Sequence, residues 1–425
     1  MDKNIFQINI STDVLKRLRD KINEEHYISY SKEFYDKNKK KHRAWDKICA
    51  IMDRLDDTVD YLNKLKLNTG KHRRSAFDFF DFMNNAAVVM DCITHLVKIF
   101  EVPDEEIKTS TEIFNELGKD GKGTDKKYFE YLRSLCSVHP VETSRHKIYQ
   151  ENSFECSPYV IWNDKSIWTN DDSDLYAVVY TSKDNDSFKR IYIYINQIFE
   201  YVKRRVNFIE NIIEHIEKYQ QEIIEVFRNT PIKKEEDFES YIDYLRNLKK
   251  ETEIRYGKDS FHEFNYLIEL FDLPLSNTAN EEKMNLYKNA LKYAIKFEHN
   301  SIQNMTNEGY ENNGILYPKV NITTTLLEEL ILPNSGSDDR RKYRYAIEKT
   351  SYLSYDSCWS DRKWAYAQIN EMMPFLERYV TFDKAQSDFE HYVLVKLALY
   401  LECLENKCLI NDNIPNSLKY RLNER

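Results

Sequence analysis

Between Lys127 and Tyr159 the chain carries Arg133, His139, Glu142, Arg145, His146 and the cysteines Cys136 and Cys156. No other stretch gathers so many groups that titrate, bind anions or ligate metals. An arginine offers a planar fork of N–H donors that matches the oxygens of a phosphate. A histidine exchanges its proton near neutral pH, as general acid–base chemistry requires. Arg133 and His139 therefore have the residue types for holding a phosphodiester and moving a proton at it. Arg145 and His146, the cluster Lys71, Arg73 and Arg74, and the basic run from Lys37 to Arg43 add positive charge of the kind an RNA backbone needs.

Other chemistries are weaker in the same stretch. Cys136, His139, His146 and Cys156 supply zinc-ligand types, but their spacing, C-x2-H-x6-H-x9-C, matches no standard finger. No metal or cofactor is expected. Neither cysteine is accompanied by a signal for an oxyanion hole or an orienting acid, as a hydrolase would need. A plain structural reading of the pair also stands: Arg133 pairs with Glu130 or another neighbour, and His139 caps a helix end.

The groups need elements to position them. Tyr128, Leu132, Leu135 and Cys136 recur at helical spacing, with Arg133 at the polar margin. Pro140 disfavours helical geometry at His139, so the helix ends there. Six residues on a regular helix separate two side chains by about 120° around the axis. The Pro140 break, or a second subunit, has to bring Arg133 and His139 together. After them Pro158 to Asn163, Leu175 to Thr181 and Arg190 to Ile195 change to β-branched and aromatic runs between polar turns. A small antiparallel β insert is expected at about residues 156–195.

Around this, the period is helical. Helices are expected at Ser11–Glu25, from Ile48 to a C-cap at Gly70, at Ala76–Phe100, from Pro103 to the loop Gly118–Gly123, and as one long helix at Asn196–Arg228. Ala76–Phe100 is apolar on more than one side, which makes it central to its domain or shared with another subunit. Further helices are expected near residues 237–249, 259–272, 281–299, 340–354, 359–379 and 383–406. Gly118 and Gly123 have the separation of P-loop glycines, but Thr124 stands where the lysine belongs and no strand precedes the loop. Trp359, Trp364, Tyr352 and Tyr355 have rings that stack bases elsewhere; at helical spacing they read as core.

Composition bounds the whole. With 425 residues, 41% hydrophobic and 31% charged, the chain can bury a sizeable core and is not disordered. Its 8 glycines and 9 prolines favour long helices over a many-stranded sandwich or barrel. The expected architecture is mainly α: a helical bundle with the β insert over residues 1–230, then a second helical domain, residues 231–425, of unknown role. A net charge of −9 excludes a protein that coats nucleic acid non-specifically but leaves room for a local basic groove. The 7 scattered cysteines give no disulfide framework and fit a reducing cytosol. The N-terminus lacks a signal peptide's apolar stretch, and the run Val393–Leu401, broken by Lys396, is too short for a bilayer. A cytoplasmic protein without a membrane partner is expected.

The sequence R-S-L-C-S-V-H, with Arg133 and His139 at its ends on a helix of a helical protein, resembles the signature of the HEPN superfamily. Arg19 with His26 and Arg255 with His262 repeat the pattern, but only the middle pair has an apolar helix, a His-Pro stop and further basic residues beside it. The resemblance covers roughly residues 45–230. It implies a metal-independent endoribonuclease acting as a homodimer, with two motifs lining one cleft. Arg133 would hold the scissile phosphate and His139 would act as general acid/base on a 2′-hydroxyl, leaving a 2′,3′-cyclic phosphate. Ser134 fits the polar residue common after the arginine. Such enzymes include toxins and antiviral (phage) defence effectors, and inactive members also exist. The β insert and the C-terminal half depart from the family pattern. Two other expectations remain open: a non-catalytic helical module that binds RNA or a protein partner, and a zinc-stabilised structural protein.

Overall fold

A computed structural model describes residues 5–68, 76–151, 154–163, 172–180, 188–257, 264–306, 308–317 and 343–405. The protein is mainly α, with small antiparallel sheets. The chain divides into two compact units, residues 1–223 and 224–425.

In the first unit, in chain order, come β1 (Ile5–Phe6), α1 (Asp13–Glu24), α2 (His26–Tyr30), β2 (Glu33–Tyr35), β3 (Lys41–Arg43), α3 (Trp45–Lys64), β4 (Leu67–Asn68) and α4 (Phe77–Phe100). α5 (Glu105–Thr109), α6 (Asp125–Arg133), the sheet β5 (Cys156–Trp162), β6 (Leu175–Tyr180), β7 (Phe188–Ile193), the helix α7 (Ile195–Asn207) and α8 (Ile209–Asn229), whose last turns belong to the second unit, follow. α4 is central. Phe79, Phe82, Met83, Ala86, Val89, Ile93 and Leu96 are all buried, on more than one side, against α3 and α7. The Phe82 and Phe199 rings meet at 5.1 Å.

Several boundaries differ from those the sequence predicts. α3 stops at Lys64, short of Gly70, because Leu65 turns extended and Leu67–Asn68 pairs with Ile5–Phe6. The Asn63 side chain fixes that turn, accepting from the Ile10 N–H at 2.7 Å and donating to the Ile10 carbonyl at 2.9 Å. α5 ends at Thr109 instead of running to the glycine loop. The buried Asp125 carboxylate takes over there, accepting from the Phe114 N–H at 2.9 Å and the Ser110 hydroxyl at 2.6 Å. The long helix expected at Asn196–Arg228 is two helices that break at Phe208, whose side chain is buried. No glycine or proline marks that break, so it follows from packing rather than local preference.

The β insert forms as the alternation predicts. β5, β6 and β7 make an antiparallel sheet in that order, with Leu175 opposite Ile193 and Val160 opposite Ala177. Val160, Trp162, Leu175, Ala177, Val179 and Ile193 turn one face into the core.

The second unit contains α9 (Tyr241–Tyr256), α10 (Phe264–Asp272), α11 (Glu281–Asn304), α12 (Arg344–Thr350), α13 (Trp359–Leu376) and α14 (Asp388–Glu405). α14 is buried on almost every side, from Phe389 to Cys403. Lys396 on it is half-buried beside Glu311, 3.2 Å away, and this carboxylate keeps it charged against the cost of desolvation. Arg255, on α9, is buried as well; it donates to the carbonyls of Phe227 and Thr230, each at 2.8 Å, and meets Glu251 at 3.3 Å. One expectation fails here. Trp359 is 70% exposed, Tyr355 56% and Trp364 48%, so these rings are surface rather than core. They sit on the outer side of α13 and the turn before it, while Ala365, Ile369 and Met372 supply its buried face.

Candidate functional site

α6 is fixed at both ends. Thr124 caps it, its hydroxyl accepting from the Lys127 N–H at 3.3 Å, and Asp125 holds the preceding loop as described. Tyr128, Phe129, Tyr131 and Leu132 bury one broad face. Beyond Arg133 the helix widens into a π turn, Ser134–Val138, which ends where the His139 N–H donates to the Ser134 carbonyl at 2.8 Å. Such single π turns accommodate one extra residue and recur at functional sites. This one lies between the arginine and the histidine. Relative to a regular helix it shifts His139 by about one residue step, roughly 100° around the axis. Pro140 then ends helical geometry, as the sequence predicts.

The two side chains differ in environment. Arg133 is half-buried, and its Nε is buried without a hydrogen-bond partner among the described residues. That nitrogen does not make the ion pair with Glu130 that the sequence allows. His139 is exposed. Arg145 is exposed, and His146 is half-buried. Desolvation, then the positive charges of Arg145 and His139, holds the His146 imidazole below its ordinary pKa. Arg145 and His139 thus lie within electrostatic reach of His146.

A network beneath them anchors the loop from His139 to Glu155. The Thr143 hydroxyl donates to the His139 carbonyl at 2.8 Å. Thr143 and Glu155 exchange backbone hydrogen bonds, each at 2.9 Å, and the Ser157 N–H donates to the Pro140 carbonyl at 2.7 Å. Buried Gln150 donates to the Thr143 carbonyl and accepts from the His146 N–H at 3.1 Å. The Glu155 carboxylate, 0% exposed, accepts from the Tyr131 hydroxyl at 2.8 Å and the Glu151 N–H at 3.0 Å, and pairs with Lys189 at 2.8 Å. Tyr131 also stacks on Tyr149 at 5.3 Å and approaches the His146 ring at 6.0 Å. The glycine loop is part of this support. Gly118, at φ +67°, lies where a Cβ would come within 2.9 Å of the Ile148 carbonyl oxygen, and the Lys119 N–H donates to that oxygen at 2.8 Å. It is a strap rather than a phosphate cradle.

The remaining sequence expectations separate. Lys71, Arg73 and Arg74 lie outside the described residues. The basic run Lys37–Arg43 is exposed; within it Lys41 pairs with Glu33 in the β2–β3 hairpin, and the His42 ring is hydrogen-bonded to Asp36 at 3.1 Å. Of the zinc-ligand types, Cys136 is buried, and desolvation pushes its thiol up to about 12. A thiol so reluctant to ionise is a poor nucleophile and a poor metal ligand. Among the described residues no group of three or more His, Cys, Asp or Glu is placed to hold a metal ion. No described helix is long and apolar enough to cross a membrane. The sequence does not single out the supporting residues Tyr131, Gln150, Glu155 and Lys189. Tyr131 shares the helical period of Leu135 and was legible; a buried glutamate in a polar loop carries no local signal.

Compared with protein-family models, curated proteins and solved structures, the chain matches none.

Proposed function

We propose that this protein is an endoribonuclease that cleaves RNA without a metal ion, with Arg133 on the scissile phosphate and His139 as general acid/base. One observation carries this reading: a π turn separates an arginine whose buried Nε has no partner among the described residues from an exposed histidine within electrostatic reach of His146. A guanidinium is the planar fork that a phosphate's oxygens fit, and Arg133 is only half-buried. In the reaction the 2′-oxygen attacks phosphorus as its proton passes to an imidazole. The bond to the 5′-oxygen breaks, that oxygen is protonated, and a 2′,3′-cyclic phosphate remains. His146, whose environment favours the neutral ring, offers a second proton acceptor beside His139. The resemblance to HEPN proteins adds a homodimer and a role in antiviral defence or as a toxin to the proposal.

The test is cleavage of end-labelled RNA by the purified chain in excess EDTA. The parent should leave cyclic-phosphate ends, and His139→Ala should lower the rate by about 10²–10⁴-fold, the usual worth of a general acid or base. Arg133→Ala should abolish cleavage while the melting temperature holds. Equal cleavage by all three proteins, or none by the parent over a broad RNA pool, would sink the reading.

A further inference from the structure

The sheet that follows the candidate site has a second face. Side chains alternate in direction along β6 and β7, so while Ala177, Val179 and Ile193 go inward, Tyr176, Val178 and Tyr180 of β6 and Phe188, Arg190 and Tyr192 of β7 belong to the other face, where Val178 is itself covered. Across the strands Tyr176 faces Tyr192, Val178 faces Arg190 and Tyr180 faces Phe188. β5 adds Tyr159, opposite Val178. Four rings stand well into solvent: Phe188 54%, Tyr180 48%, Tyr192 44% and Tyr159 39% exposed. The Arg190 guanidinium lies among them, 4.8 Å over Tyr176 and 6.0 Å from the centre of Phe188.

Soluble proteins do not usually leave so many rings together on an open sheet face. The charge on it has one sign. The three strands, CSPYVIW, LYAVVY and FKRIYI, contain no aspartate or glutamate. Flat rings with an interleaved guanidinium and no acid are what unpaired bases and their phosphates require: the rings stack on bases, and the cation meets the backbone. The face is also continuous with the basic loop. β5 begins beside Glu155, which pairs with Thr143, and the Ser157 N–H holds the carbonyl of the residue after His139.

We propose that the outer face of β5–β6–β7 is a binding platform for single-stranded RNA, which stacks unpaired bases on Tyr159, Tyr180, Phe188 and Tyr192 and holds a phosphate at Arg190. The inference rests on the reading of this chain as an RNA-cleaving protein and assigns the part that captures substrate. It selects unpaired RNA, because bases within a duplex are stacked on each other and present no free face.

The test measures binding apart from cleavage. A fluorescently labelled oligouridine is titrated into full-length His139→Ala protein, with and without changes on the sheet. The parent background should bind, and Tyr180→Leu with Phe188→Leu should weaken binding at least about tenfold, the order lost with one or two base-stacking contacts. Tyr192→Phe keeps a ring and should bind as the background does, which separates stacking from damage to the strand. Arg190→Ala should lower the dependence of log affinity on log salt by about one phosphate contact. A perfectly paired RNA of equal length should bind more weakly than the single strand. Unchanged affinity in the leucine variants, or no binding by the background, overturns the platform. So does a finding that the leucine changes abolish self-association instead, since the face would then cover a second copy. Loss of binding with the leucine variants would stand even if the parent cleaved nothing, so the two proposals fail separately.

Discussion

In the loop beyond His139 the decisive residue is Glu155, which the sequence does not advertise. A carboxylate with no exposed surface is stable only where it is paired and fully hydrogen-bonded. Lys189, Tyr131 and the Glu151 N–H meet that requirement from three parts of the chain. Glu155→Ala should therefore cost about 3 kcal/mol, because it leaves a buried tyrosine hydroxyl and the Glu151 N–H without an acceptor. Glu155→Gln should cost less, since its one amide oxygen still accepts from either the Tyr131 hydroxyl or the Glu151 N–H, which meet different oxygens of the carboxylate. Urea unfolding midpoints of the two variants decide this; equal midpoints would mean that the network is not what holds the loop. The types of Arg133 and His139 were legible in the sequence, as was the burial of Leu132, Leu135 and Cys136. The supporting network was not, because Glu155 comes to Tyr131 across 24 positions and Lys189 to Glu155 across 34, separations that no local pattern connects.

Among the elements, the π turn carries most weight. Removing one residue should return it to regular α-helix, since the turn exists to house an extra residue. Deleting exposed Val138 would then move His139 by one helical step, about 100°, with the buried positions before it unchanged. The deletion should fold, as circular dichroism and thermal melting would report, yet lose RNA cleavage. A deleted chain that cleaves as well as the parent would show that the turn does not set the geometry of the pair. Where local chemistry dominates, elements were readable: the helix stop at Pro140, the alternation of β5 to β7, the apolar α4. Where tertiary contacts override it, they were not. Phe208 breaks a helix whose sequence has no breaker, Asp125 ends α5 from sixteen residues away, as measured from Thr109, and the rings of Trp359 and Trp364 face water at a spacing that also suits a core.

The molecule as a whole has a predictable response to acid. His95, His146 and His299 are all held below their ordinary pKa, in each case by burial first. In the unfolded chain such rings take up a proton below about pH 6.5. The folded rings resist until their lower values are reached. Over that interval the unfolded state binds more protons, so stability is undisturbed above pH 6.5 and falls as the pH drops below it. The urea midpoint should decline between about pH 7 and about pH 5.5, and replacing His146 and His299 with glutamine should flatten the decline. A midpoint that rises on acidification would contradict it. Composition alone foretold the mainly helical class, because so few glycines and prolines leave little material for turns.

The enclosure of α14 also bears on how the second unit comes into being. A helix surrounded on almost every side must be present before its neighbours can close, and α14 follows every other described element of that unit along the chain. While the ribosome is still making residues 388–405, α9, α10, α11 and α13 have been delivered with the apolar surfaces meant for them exposed. Translation therefore holds this half of the protein in a sticky, incomplete form until its centre arrives, a state in which nascent chains depend on chaperones. The first half meets no such delay, since α4 emerges early and the later helices assemble onto a centre already made.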